Sequence, residues 1–180
     1  MPVTINGSGS ISGLAAGGIS DAGAIASGVI TSSVLPTGSV VQVKHAQTKS
    51  SSVSSSSSYS NIGALDVSIT PISSSNLLVF QYNMIVRVRE NSSHGAFAWI
   101  AVSDDNGSSY LAENYHRSYD YGGSGCDLDS GACGYAIKTA GSTSARTYKV
   151  YLKLADGDSY EVNPAGNQNN SAVTVMEIAA

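Results

Sequence analysis

Charge is scarce in this sequence. Charged residues make up 12% of the 180-residue chain, about half of the ~25% usual in soluble globular domains. Lysine and arginine nowhere form a cluster; Arg87 and Arg89 merely flank Val88 on one face of a strand. With a net charge of −4, this pattern excludes tight, salt-dependent phosphate binding, so nucleic acid is not an expected partner. Long apolar runs are missing as well. No stretch approaches the ~18 consecutive apolar residues of a membrane-spanning helix, so no membrane association is expected. The N-terminus carries no basic region followed by an apolar block, so no secretory signal is read there. An extracellular destination would then be reached by release, for example lysis of the cell in which the protein assembled.

What is present divides into two unlike parts. Residues 1–37 are rich in Gly, Ala and Ser, with apolar residues too thinly spread for a private core: Ile5, Ile11, Leu14, Ile19 and Ile25, then Val29-Ile30 and Val34-Leu35. Neither a 3.6 nor a 2.0 period persists. Ala22, Ala24, Ile25, Ala26, Val29 and Ile30 give a weak helical stripe, opposed by Gly23 and Gly28 at about 1 kcal/mol each relative to Ala. Recurrent isoleucines have no purpose in a purely solvated linker. The segment is therefore read as an extended arm that orders when laid on another polypeptide.

Pro36-Thr37-Gly38 marks the boundary, and residues 38–180 form the head. Ser39 to Ala46 is its first strand; Ser50 to Ser58, nearly pure serine, is expected to be a mobile loop. Leu65, Val67 and Ile69 alternate with polar residues up to Pro71. Leu78, Phe80, Tyr82, Met84, Val86 and Val88 alternate with Gln81, Asn83, Arg87 and Arg89 in the clearest strand of the chain. Phe97 to Val102 is apolar on both faces and so central, with Trp99 assigned to the core. Tyr148 to Leu154, Ser159 to Asn163 and Ala172 to Ile178 complete the set. Many short strands without a helical segment after residue 40 predict an all-β, antiparallel β-sandwich or jelly roll.

Motifs for chemistry are weak. Ser103-Asp104-Asp105-Asn106-Gly107-Ser108-Ser109-Tyr110 fits the Asp-box hairpin turn, in which an Asp side chain bonds backbone amides and Gly accepts positive φ. Asp127/Asp129 and Asp156/Asp158 do not continue into a loop offering the six to eight oxygens that calcium takes, so no metal or cofactor is expected. His45, His94 and His116 are far apart, and no Gly-x-Ser-x-Gly elbow opens a helix. Gly122-Gly123-Ser124-Gly125 likewise opens no helix and is no phosphate cradle. Glu90, Glu113 and Glu161 are unpaired in sequence. No catalytic residues are assigned, and the protein is not expected to be an enzyme.

Recognition is the remaining chemistry. Tyr110, Tyr115, Tyr119, Tyr121 and Tyr135 gather around Tyr115-His116-Arg117-Ser118-Tyr119-Asp120-Tyr121-Gly122-Gly123, read as a loop. Tyrosine on Ser/Gly-rich backbone supplies rigid aromatic area with a hydroxyl handle, which suits adaptable contact. Tyr115, His116, Tyr119 and Tyr121 are the candidate receptor-binding residues; the competing use of these tyrosines is packing subunit against subunit. Cys126 and Cys133, with six residues between them and glycines outside both, are a candidate disulfide across a loop tip, the alternative being two free thiols.

Several segments resemble short tail-fibre and virion proteins of aquatic bacteriophages. Ile11-Ser12-Gly13-Leu14-Ala15-Ala16-Gly17-Gly18-Ile19 followed by Leu35-Pro36-Thr37-Gly38-Ser39-Val40-Val41-Gln42-Val43 resembles their opening. Leu65 to Pro71 with Ser74 to Val79 is similar to the start of their heads, and Ser171 to Ala179 to the closing strand. Residues 90–145 carry no resemblance. The family implies a jelly roll of the tumour-necrosis-factor or C1q type, packed as a homotrimer. It further implies an arm, residues 1–37, that binds other virion proteins of tail or capsid, and head loops that meet the host, with a surface glycan as one receptor. Localisation would be the virion, assembled in the host cytoplasm. Alternatives are a capsid decoration (cement) protein and a carbohydrate-binding module.

Overall fold

The computed structural model describes residues 4–5, 11–12, 35–91, 95–119, 125–164 and 170–180. The chain divides into two units, Met1–Leu35 and Pro36–Ala180. In the first, β1 (Thr4–Ile5) and β2 (Ile11–Ser12) form a short antiparallel ladder with Ile5 opposite Ile11. Leu14, Ile19, Ile25 and the weak helical stripe lie outside the described residues.

The second unit is an all-β antiparallel sandwich of jelly-roll type. Its strands are β3 (Val40–Thr48), β4 (Ser52–Ser54), β5 (Ser60–Asn61), β6 (Val67–Ile69), β7 (Leu77–Glu90), β8 (Gly95–Ser103), β9 (Ala112–Tyr119), β10 (Cys126–Thr139), β11 (Arg146–Asp156), β12 (Ser159–Val162) and β13 (Ser171–Ile178). One 3-10 turn, Gly63–Leu65, precedes β6. The first sheet runs β3-β13-β7-β12-β4, with β13 and β12 sharing one edge of β7 in turn while β10 lies along its other edge. The second runs β5-β11-β8-β9, with β6 also on β11. β8 is thus an interior strand, in keeping with its apolar character on both faces.

The core follows from strict alternation. Leu78, Phe80, Tyr82, Met84, Val86 and Val88 of β7 all point inward and are buried, facing Ala98, Ile100 and Val102 of β8 and Tyr148, Val150 and Leu152 of β11. Burying each such large side chain contributes roughly 1.5–3 kcal/mol. Phe80 stacks on Tyr148 at 5.5 Å between ring centroids, and burial pushes the Tyr148 hydroxyl pKa up to about 12.

The C-terminal strand closes the head. Gly38 N–H donates to the Ala179 carbonyl and Ala179 N–H to that of Ser39, both at 2.8 Å. The alternation that points Val173 and Val175 inward also directs Glu177 inward, fully buried. Its carboxylate accepts hydrogen bonds from the Ile72 and Ser73 amides, Asn76 Nδ2 and Gln42 Nε2. Burial alone would raise its pKa, but these donors outweigh that and hold it below the ordinary carboxylate value.

Three expectations need correction. Part of the serine-rich stretch is strand β4, paired with β12, because an edge strand needs only backbone groups to join a sheet. The segment Tyr115–Tyr119 belongs to strand β9 rather than a loop. Cys126 and Cys133 do not bridge: Cys133 is a free thiol, and both positions lie on the continuous strand β10. Seven steps of strand separate their Cα atoms by about 23 Å, against the ~7 Å limit for a disulfide.

Candidate functional site

The two sheets present outer faces of different chemistry. On the first sheet, register aligns apolar residues in rows across four strands. Val43, Met176, Val79 and Ile137 form one row over β3, β13, β7 and β10. Val40, Ile178 and Leu77 form the row beside it, ending on Thr139, and His45, Thr174, Gln81 and Tyr135 the row on the other side. Val43 is 54% exposed, Ile137 56% and Tyr135 69%. No residue in the two apolar rows is charged. Exposed apolar side chains scattered singly are ordinary, whereas contiguous rows of them mark an interaction surface.

The far end of the same face is ionic. Arg87 pairs with Asp129 and Asp127, and Arg89 with Asp127. Glu161, across β12, lies 3.6 Å from Arg87. Both guanidiniums of this end are taken up by its carboxylates, so the open chemistry of the rest of the face is aliphatic. Between the two ends, a depression of about 540 Å³ is lined by Gln81, Asn114, Cys133, Gly134 and Tyr135. Asn114 Nδ2 donates to the Tyr82 hydroxyl at 2.7 Å. A Cβ on Gly134 would sit 2.5 Å from both of those atoms. Gly134→Ala is expected to break that hydrogen bond and lower stability by about 1–3 kcal/mol, read as a fall in the urea midpoint; an unchanged midpoint would show that the strand simply shifts.

On the second sheet the outer face is aromatic. Lys153, Trp99 and Tyr115 form one row over β11, β8 and β9, and Phe97 with Arg117 the next. Tyr115 packs against Phe97 at 5.3 Å and Trp99 at 4.9 Å between centroids, yet remains 51% exposed. Arg117 lies over Phe97 and Tyr119 at 5.1 and 4.7 Å, and Lys153 over Tyr59 and Trp99 at 4.3 and 5.9 Å. Tyr59 donates its hydroxyl hydrogen to Glu113. Burial first, and then the Glu113 carboxylate, push the Tyr59 pKa upward.

Of the residues assigned to receptor binding, Tyr115 and Tyr119 lie on this aromatic face, and Tyr121 falls outside the described residues. His116 does not belong there. Strand alternation turns it inward, where it is buried beside Ser130 Oγ at 3.0 Å from Nε2. Trp99 needs the opposite correction: it is half-buried on the outer face, not in the core. Sequence reasoning also missed Phe97, Arg117 and Lys153; the period-2 spacing of Phe97 with Trp99 was the available signal.

Burial lowers the His116 pKa below its ordinary value, with the Val86 carbonyl pulling the other way. The unfolded chain therefore takes up this proton first. Stability from the neutral ring is complete above about pH 6.5 and declines as pH falls through the folded value. A urea midpoint that falls below pH 6.5, with a flatter fall in His116→Gln, is the expected result; a flat profile in the native chain would contradict it.

The Asp-box loop joining β8 to β9 is as the motif predicts. Asp105 Oδ1 accepts from Ser103 Oγ at 2.6 Å and from the Ser109 amide at 3.0 Å. These bonds hold its pKa well below the usual carboxylate range. Asn106 and Gly107 take φ of 61° and 83°, and the loop closes over the Tyr151 ring. It is a structural turn that frames one end of the aromatic face. Among the described residues no cluster of His, Cys, Asp and Glu could hold a metal ion, and no helix is long and apolar enough to cross a membrane.

No protein-family model matches this chain, and no curated protein matches it. Several solved structures are distantly similar. A tumour-necrosis-factor protein, Eiger from S. frugiperda, aligns at 11% identity and TM-score 0.45, covering 76% of this chain and 92% of its own. The VP2 protein of infectious bursal disease virus aligns at 12% identity and TM-score 0.36, over 77% of this chain and 36% of its own. A xylan-binding domain from Paenibacillus barcinonensis aligns at 10% identity and TM-score 0.27, over 82% of this chain and 99% of its own.

Proposed function

We propose that this protein is a non-enzymatic structural protein of a phage virion, a short tail fibre or receptor-binding adhesin that acts as a homotrimer. Residues 1–37 attach it to other virion proteins. The observation that carries the reading is the apolar field on the β3-β13-β7-β10 face. It runs from one edge strand, at Val43, to the other, at Ile137. A patch that reaches both edges suits a heterologous contact, in which one edge of a copy meets the other edge of the next, and such contacts close into a ring of three where the rotation between copies is a third of a turn. Its lack of charge, in a chain where charge is scarce throughout, matches surface that association removes from water.

An electron density map of the intact particle tests this reading. Threefold clusters of the head confined to the tail or a vertex are expected; copies spread over the capsid would replace the fibre with a decoration protein. The aromatic face favours a second reading, a carbohydrate-binding module, which a monomer in solution would support.

A further inference from the structure

We infer that the aromatic face of the β5-β11-β8-β9 sheet binds an acidic saccharide, with a pyranose ring stacked on Tyr115 and its carboxylate directed to Arg117. The inference rests on the adhesin reading for its setting and names the receptor chemistry of that protein. Three features of the face select this occupant.

The first is a fixed aromatic surface. Tyr115 packs against both Phe97 and Trp99, at interplanar angles of 19° and 60°, while half of it stays open to water. A ring already immobilised loses little entropy when a flat apolar surface covers it. The C–H face of a pyranose is such a surface, and the tyrosine and indole edges keep polar handles for its hydroxyls.

The second is charge. Arg87, Arg89, Lys138, Arg146 and Lys149 all pair with carboxylates of the chain. Arg117 and Lys153 instead rest on aromatic rings, and neither forms an ion pair among the described residues. Lys44 and Lys49 form no ion pair among the described residues either, but they lie on and just after β3 of the other sheet. In a chain of net charge −4, two cations that have no carboxylate partner among the described residues and stand beside an exposed aromatic row complement an anionic ligand. A guanidinium pre-set on a ring offers its fork to a carboxylate.

The third is polarity along β9. Glu113, Tyr115 and Arg117 follow at period 2 on the outer face, so an acceptor and a cation flank the stacking ring on opposite sides. A saccharide across Tyr115 has its hydroxyls at Glu113 and its carboxylate at Arg117. The reverse orientation would set carboxylate against carboxylate. The aliphatic rows of the other sheet carry no such pairing of ring, cation and acceptor, which separates a saccharide site from a self-assembly surface.

Trp99 is the sole tryptophan and reports on this face directly. The full-length protein is titrated with oligomers of polygalacturonate and of polysialate, with dextran as the neutral control, while Trp99 emission is followed. Saturable change with at least one acidic oligomer and none with dextran is expected. Tyr115→Ala should weaken binding at least about tenfold. Arg117→Ala should weaken it by a similar factor and flatten its salt dependence, with circular dichroism unchanged in both. No response to either acidic oligomer, equal response to dextran, or unaltered binding by Tyr115→Ala overturns the inference. So does a Trp99 signal that tracks protein concentration alone, which would assign the face to a second copy of the chain. Mass in solution is measured on the same samples: a trimer that ignores the oligomers removes the saccharide site and leaves the assembly reading intact.

Discussion

Replacing Glu177 with alanine is expected to destabilise the head by about 3–5 kcal/mol, among the largest effects of any single substitution. The carboxylate is fully buried, and its partners are two backbone amides and the side chains of Asn76 and Gln42. Truncation leaves these donors in a site built to exclude water. It also removes the side-chain links from β13 to Gln42 of β3 and to the turn at Ile72–Asn76. At ~2–4 °C per kcal/mol for a domain of this size, the melting temperature should fall by about 10–15 °C. Glu177→Gln retains one acceptor oxygen but sets an amide donor near the Ile72 and Ser73 amides, so it should cost less, about 2 kcal/mol. The sign of the pH dependence follows from the lowered pKa. The contribution is complete above the unfolded value of about 4.3 and is lost as pH falls through the lower folded value. The Glu177→Gln profile should be flatter there. A melting temperature within two or three degrees of the native value would show that water replaces the carboxylate.

The second large effect is on assembly. The double substitution Val43→Asp with Ile137→Asp places a carboxylate at each end of the apolar row, on the two edge strands. Both side chains are exposed in the protomer, so the fold should survive with a near-native melting profile. Association should not survive. An unpaired carboxylate desolvated at an apolar contact costs several kcal/mol, and 3 kcal/mol per contact already weakens it by about a hundredfold. The variant is expected to run as a folded monomer in light scattering at concentrations where the native chain is associated. A variant of native mass would move the contact elsewhere on the molecule.

How far the sequence foretold this architecture depends on which side chains mark the inner face. In β7 every inward position is large and apolar and most outward ones are polar, so period 2 was plain. In β9 the inward positions are His116 and Ser118, which carry no hydrophobic signal, while tyrosines point outward; the segment consequently read as a loop. Around Cys126 and Cys133 the bounding glycines, Gly125 and Gly134, suggested a loop tip where β10 runs on as a strand. Gly134 is instead where the strand passes against Tyr82 and Asn114, leaving no room for a side chain. Ser52–Ser54 pairs through backbone alone, which composition cannot register. The Asp-box turn was legible because its Ser103–Asp105–Ser109 bonds are local. The aromatic face was only half legible. Phe97 and Trp99 advertise an apolar strand, but whether their side faces core or solvent depends on β11 and β9, more distant in sequence.

Sedimentation velocity of the full-length protein measures the central proposition, that the apolar rows of Val43, Met176, Val79 and Ile137 are covered by further copies of the same chain. The account predicts a single boundary at three times the 18.4 kDa chain mass, insensitive to salt because the contact is aliphatic. A boundary at the mass of one chain across the accessible concentration range would contradict it.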